Sequence, residues 1–193
     1  MELPDLRRHL KGPRLRLINT TPELLSILYD KLDSDTFQWL PYQPSSKQEF
    51  IDIITSSKLW ILMYQNTPIG VIGYLAIVPQ HKRLEIGHII LAKEYQQKKF
   101  GLECSLLLIL YAMELQQYRI EWKTHHLNIP SQQLALKLGF TFEGVFRNHM
   151  YYLGMHRNSF YYSIISQEFD HVRAKAIERL QSFGDWSLQD LFM

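Results

Sequence analysis

The stretch Leu84–Gly144, LEIGHIILAKEYQQKKFGLECSLLLILYAMELQQYRIEWKTHHLNIPSQQLALKLGFTFEG, decides how this chain is read. A strand-like apolar run, Leu84–Ala92, feeds a polar knuckle around Glu94–Lys99. The segment Gly101–Leu115 follows, apolar almost all round, which predicts a buried helix. Tyr118–Thr124 predicts a short strand, and IPSQQLALKL predicts a helix closed by Gly139 at its C-terminal cap. A strand, a loop and a buried helix in that order aim unpaired backbone N–H groups and the helix dipole at the loop. That setting favours an anion, commonly a phosphate. Gly101 allows close approach of the backbone to such a ligand. The knuckle is neither G-x-x-x-x-G-K-[ST] nor G-x-G-x-x-G.

Upstream, Leu15 and Leu17 alternate as in a strand, and Thr20 or Thr21 caps a helix with Glu23 completing a capping box. FQWLPYQPSS is an aromatic, proline-punctuated loop. A second helix begins near Ser46 and turns Phe50, Ile51, Ile53 and Ile54 inward. LWILMYQ and IGVIGYLAIV form a hairpin joined by NTP. Downstream, two strands flank a turn at Gly154, and a helix from about Phe169 carries Val172, Ala176, Ile177 and Leu180. The amphipathic end, FGDWSLQDLFM, packs on the sheet or on a second copy in a homodimer. The expected organisation is a single domain over residues 1–193, with a core over 14–168 and a C-terminal helical extension over 169–193. The fold class is α+β, with a mixed, mainly antiparallel sheet flanked by helices.

Bulk properties narrow the function classes. The 193 residues are 46% hydrophobic and 21% charged, and 21 Lys and Arg balance 19 Asp and Glu. That balance, without a polybasic run, speaks against a nucleic-acid partner. The longest apolar run, Leu106–Met113, is far below the roughly 20 residues that span a bilayer, so no membrane partner is expected. The first residues carry no apolar run of a secretory signal. The single cysteine, Cys104, excludes an internal disulfide, reads as a buried inert thiol and fits a cytoplasmic setting.

The long stretch resembles the acetyl-CoA-binding half of the GNAT superfamily of N-acetyltransferases, with the RimJ/RimL type as the nearer branch. The family's Q/R-x-x-G-x-G/A loop starts here at Gln96 and ends at Gly101, with Lys99 in place of the first glycine. LN-x-PS, with Asn128 and Ser131, and LALKLGFTFEG also match. So do the stretches Pro41–Pro44, Glu85–Ile89, Glu121–Lys123 and Phe142–His149. The resemblance covers roughly Arg14 to Glu168.

It implies a sheet splayed between Leu84–Ala92 and Tyr118–Thr124 that admits the pantetheine arm of acetyl-CoA. Backbone groups of Ile89, Ile90 and Leu91 pair with that arm, and one N–H polarises the acetyl oxygen. Backbone amides from Gln97 to Leu102, including Lys98, Lys99, Phe100 and Gly101, hold the pyrophosphate, and the two lysines add charge. Asn128 contacts the pantetheine, and Ser131 lies near the sulfur, where it can protonate the leaving thiolate. A helix-capping role for the pair is the other reading.

Acetyl transfer needs a held cofactor, a polarised carbonyl and a deprotonated amine. Glu85 is a candidate for the proton relay, or else an exposed strand residue paired with Arg83. The glutamate proposed as base in RimL-like relatives is Met150 here, which cannot serve. His149, beside it, has a suitable intrinsic pKa, although strand alternation sends neighbours to opposite faces. His88 and Glu121 are further candidates. His125 and His126 lack further ligands at workable spacing, so no metal is expected. Trp39, Pro41 and Tyr42 shape an acceptor wall or fill a core. The expected activity is transfer of an acetyl group to a primary amine, of a protein N-terminus or a small molecule. The alternative is a degenerate module that binds or senses CoA.

Overall fold

The computed structural model describes residues 8–57, 59–152 and 154–192. The element order is β1 (Leu10–Lys11), β2 (Leu15–Asn19), α1 (Pro22–Tyr29), α2 (Lys47–Ser56), β3 (Trp60–Tyr64), β4 (Thr67–Val78), β5 (Arg83–Leu91), α3 (Phe100–Glu114), β6 (Arg119–His125), α4 (Ile129–Leu138), β7 (Thr141–Tyr152), β8 (Met155–Ile165) and α5 (Phe169–Gln181). The eight strands form one sheet in the order β1-β2-β3-β4-β5-β6-β8-β7. All neighbours are antiparallel except β5 and β6. The expected splayed α+β sheet is therefore the one observed.

Local signals account for the helices. Thr21 caps α1, its Oγ1 accepting the Leu24 N–H at 3.3 Å. The expected capping box does not form, because a cap at Thr21 makes Glu23 the second helical residue instead of the third. Ser46 caps α2, and the Glu49 carboxylate accepts the Ser45 N–H at 2.6 Å. The hairpin of β3 and β4 turns on Gln65 and Asn66, with φ of 47° and 67°, and not on NTP. Both left-handed positions are what a two-residue hairpin turn needs, so Thr67 and Pro68 already lie in the strand.

Alternation distributes the core between two layers. Trp60 and Leu62 of β3 face α3 and α5, while Ile61 and Met63 face α1 and α2. Thus β3, β4 and the end of β5 are apolar on both faces. At β6 and β8 only one face enters this core, through Ile120, Trp122, Tyr162 and Ile164. The opposite face carries Glu121, Lys123, Tyr161 and Ser163, and this polar face is where the candidate site lies. The C-terminal segment packs on its own chain: the buried Trp186 donates to the Lys11 carbonyl oxygen at 2.8 Å, and Phe192 bridges Leu10. Met193 lies outside the described residues.

Candidate active site

The site begins with an interruption in the sheet. β5 and β6 share only three register pairs, Arg83–Arg119, Leu84–Ile120 and Glu85–Glu121. Beyond them the register of β5 against β4 shifts between Gly87 and Ile90, where His88 takes a left-handed φ of 51°. Such a bulge bends the strand and re-aims backbone groups. On the other side β4 stays close, because a side chain at Gly70 would meet the Ile90 carbonyl oxygen at 2.2 Å. The edge of β5 facing β6 over Ile89, Ile90 and Leu91 is consequently not paired in the β5–β6 ladder.

The knuckle closes one end of that opening. Gln97 and Lys99 are both left-handed, with φ of 60° and 64°, and Lys99 precedes the first turn of α3. The first intrahelical bond runs from Glu103 N–H to the Lys99 carbonyl, so the Phe100, Gly101 and Leu102 amides head the helix without intrahelical acceptors. Lys99 thus adopts the conformation a glycine would favour. A side chain at Gly101 would make ordinary contacts of 3.6 Å with Leu91 and 3.7 Å with Leu134, so the chain's own packing does not demand glycine there. Gln96 donates to the Leu91 carbonyl at 3.0 Å and holds the loop to the end of β5. Lys98 and Lys99 are exposed.

Sequence reasoning passed over the residue that anchors this loop. Glu103 is fully buried and accepts the N–H groups of Arg14 and Leu15 at 2.9 Å each and Arg14 Nε at 2.7 Å. Arg14 then donates to the Lys98 carbonyl at 3.3 Å and lies over the Phe100 ring. One signal was visible: a glutamate inside an otherwise apolar helix requires buried partners. Cys104, next to it, is fully buried, and burial pushes its thiol well up.

On α4, Asn128 Oδ1 accepts the Ser131 N–H at 3.2 Å, which is the capping role. Ser131 Oγ also accepts the Trp122 indole N–H at 3.1 Å, leaving its own proton to be donated elsewhere. The two readings of this pair are therefore compatible.

The polar face gathers the remaining candidates. Glu85 is buried and pairs with Lys123 at 2.9 Å, not with Arg83, which reaches across to Glu121 at 3.2 Å. Burial raises the Glu85 carboxyl, and Lys123 offsets this only in part. Burial alone would raise Glu121 too, but Arg119, Lys123 and Arg83 hold it below its ordinary value. Glu121 is thus a committed ion-pair member. Lys123 lies 5.2 Å over the Tyr161 ring, and Tyr161 Oη is 3.4 Å from His149 Nε2. His149 Nδ1 is 2.9 Å from Ser159 Oγ. A register shift between Phe146 and Met150 places His149 there despite the alternation argument. Burial first, then Arg157 and Lys123, lower its pKa, so the ring is neutral near pH 7.

The aromatic loop covers the open end. Trp39 packs 5.1 Å from His125, and Tyr42 packs 5.4 Å from His88. His88 Nδ1 is buried without a partner. His125 and His126 stack on one another at 4.6 Å. The assembled features are an unzipped strand edge, a helix N-terminus at one end, and a carboxylate, a lysine, a tyrosine and a neutral imidazole along the open face. They can receive an extended ligand with an anionic group and handle a proton beside it.

Comparison with known proteins agrees with this geometry. The Acetyltransferase (GNAT) domain family matches residues 14–141. The uncharacterized N-acetyltransferase YoaA of Bacillus subtilis is 36% identical over 98 residues, half of this chain and 55% of that protein. YdaF of the same organism, named provisionally as a ribosomal N-acetyltransferase, is 31% identical over 56% of this chain and 60% of its own length. The chain therefore spans little more than half the length of these curated relatives. Among solved structures, a GCN5-related N-acetyltransferase from Brucella melitensis superposes with a TM-score of 0.84 at 24% identity, covering 93% of this chain and 87% of that one. RimL, a ribosomal L7/L12 alpha-N-protein acetyltransferase solved with coenzyme A, gives 0.73 at 21% identity over 81% and 97%. At these identities the two structures speak for the fold.

Proposed function

The chain belongs to the GNAT acetyltransferase family, with its likeness toward the RimJ/RimL type, and we propose that it transfers the acetyl group of acetyl-CoA to a primary amine. The observation that carries this reading is the unzipping of β5 from β6 beside a left-handed loop that heads α3. In the proposed arrangement the pyrophosphate rests on the amides of Gln97 to Leu102, with Lys98 and Lys99 adding charge. The pantetheine arm lies along Ile89–Leu91 and meets Asn128. YdaF and RimL, by their names, support a protein N-terminus as one acceptor class.

The step is a direct displacement. The amine gives up a proton, its lone pair forms the C–N bond at the thioester carbonyl, and the C–S bond breaks to release thiolate. His149 accepts the proton, directly or by way of Tyr161, while Glu85 and Lys123 set the local charge. Ser131 passes a proton to the thiolate and is reprotonated from solvent, to which His149 returns the proton it accepted. We further take 14–168 as the catalytic core, 169–193 as its extension, and the cytoplasm as the compartment.

Calorimetric titration with acetyl-CoA, followed by a screen of amines for free-thiol release, tests the reading. Micromolar binding with turnover of at least one amine is the expected result. Binding without turnover across broad acceptors would overturn transfer in favour of a CoA-sensing module, and no binding would overturn both.

A further inference from the structure

Arg83, Arg119, Lys123 and Arg157 lie on the polar face of the sheet. Arg83 and Arg119 pair with Glu121, Arg119 also with Glu143, and Lys123 with Glu85. Arg157 has no carboxylate partner among the described residues. It is half-buried, its Nη1 donates to the Trp39 carbonyl oxygen at 3.2 Å, and its Nε is buried without a partner. It sits opposite Met150, two residues along β8 from Ser159, which pairs with His125 where β5 and β6 have parted. Trp39 packs on His125 and so closes the same rim. The Tyr42 and Tyr152 hydroxyls, near one another, are also buried without partners.

A guanidinium that has lost hydration and gained one neutral acceptor is electrostatically incomplete. A carboxylate is the group whose two oxygens match its planar fork. Arg157 is also close enough to Glu85 and His149 to influence the titration of both, so an acceptor anchored on it reaches the groups that handle a proton. A polycationic acceptor would instead meet Arg157 and Lys123 with like charge.

We propose that the acceptor is an amine bearing a carboxylate a few bonds from its nitrogen, and that Arg157 binds that carboxylate. This rests on the acetyl-transfer reading and narrows it. The same chemistry is offered by a free amino acid and by a peptide N-terminus with an acidic residue.

Thiol release is measured with alanine against alaninamide, and with the peptide Ser-Asp-Ala-amide against Ser-Asn-Ala-amide, corrected to the free-amine fraction of each. One acid is expected to exceed its amide roughly tenfold to hundredfold in kcat/KM, and the pair that does so identifies the source. Arg157→Gln should bring that ratio to about one, and Arg157→Lys should keep part of it. CoA affinity of both variants, measured by calorimetry, checks that they are folded. Acid and amide within twofold in both pairs, or a preference that survives Arg157→Gln, overturns the proposal. Calorimetry with the N-acetylated acids and amides reads the same preference without turnover. Absence of turnover with every amine therefore defeats acetyl transfer, whereas equal binding of acid and amide defeats the carboxylate anchor.

Discussion

The Glu85 carboxyl is buried against Lys123, while the His149 ring is exposed and bonded to Ser159 and Tyr161. Both are inactive as bases when protonated, so either would make the rate fall as pH falls. Their shifts run in opposite directions: burial raises Glu85 from the carboxylate range, and partial loss of hydration, with the nearby Arg157 and Lys123, lowers His149 from 6.5. The two shifts move the groups toward one another, and substitution separates their roles. His149→Gln should lower kcat about a hundredfold and remove the acidic limb of the kcat/KM profile. Glu85→Gln should keep the limb. A limb lost in Glu85→Gln and retained in His149→Gln would make Glu85 the base. The residues Glu85, His149, Asn128 and Ser131 were readable one by one. Their partners Lys123, Tyr161 and Trp122 were not, because each pairing crosses between strands or from strand to helix.

At the scale of elements, the pattern of apolar runs and caps located the strands and helices well. It erred by a residue or two at the Gln65–Asn66 turn, where backbone conformation decided, and in the Glu23 capping box, whereas Thr21, one of the two caps named, is the cap observed. The loop before α3 is the instructive element. It departs from the family pattern at Lys99, yet Lys99 holds the left-handed φ of 64° that a glycine would take. An L-residue there carries a cost that glycine avoids, offset in part by the greater freedom of glycine in the unfolded chain. Lys99→Gly should therefore stabilise the fold by up to about 1 kcal/mol in thermal or urea denaturation. It should also weaken acetyl-CoA binding by no more than about threefold, since the loop keeps its shape and the one charge lost is exposed and screened. A tenfold gain in affinity would mean that the Lys99 side chain obstructs the ligand.

At the scale of the whole molecule, Glu103 joins parts of the chain far apart in sequence. Its carboxylate takes three donors from Arg14 and Leu15 at the start of β2, and Arg14 in turn holds the Lys98 carbonyl. Glu103→Ala leaves Arg14 and two backbone N–H groups without that acceptor. The loss should be about 3 kcal/mol, or roughly 6–12 °C in melting temperature for a chain of this size. A change below about 1 kcal/mol in denaturant unfolding would show that water replaces the carboxylate.

Hydrophobic periodicity and caps were enough to specify the order of elements from β2 to α5 and a mixed, mainly antiparallel sheet, because these are written in short-range spacing, while the motifs between Leu84 and Gly144 carried the likeness to the family and the splay it implies. Where the strands part, which cation of the polar face has no bonded carboxylate among the described residues, and how His149 is turned toward Tyr161 were decided only in three dimensions. Those features arise from register, bulges and burial, which depend on residues as distant as Trp39 and Arg157, and no local pattern encodes such meetings.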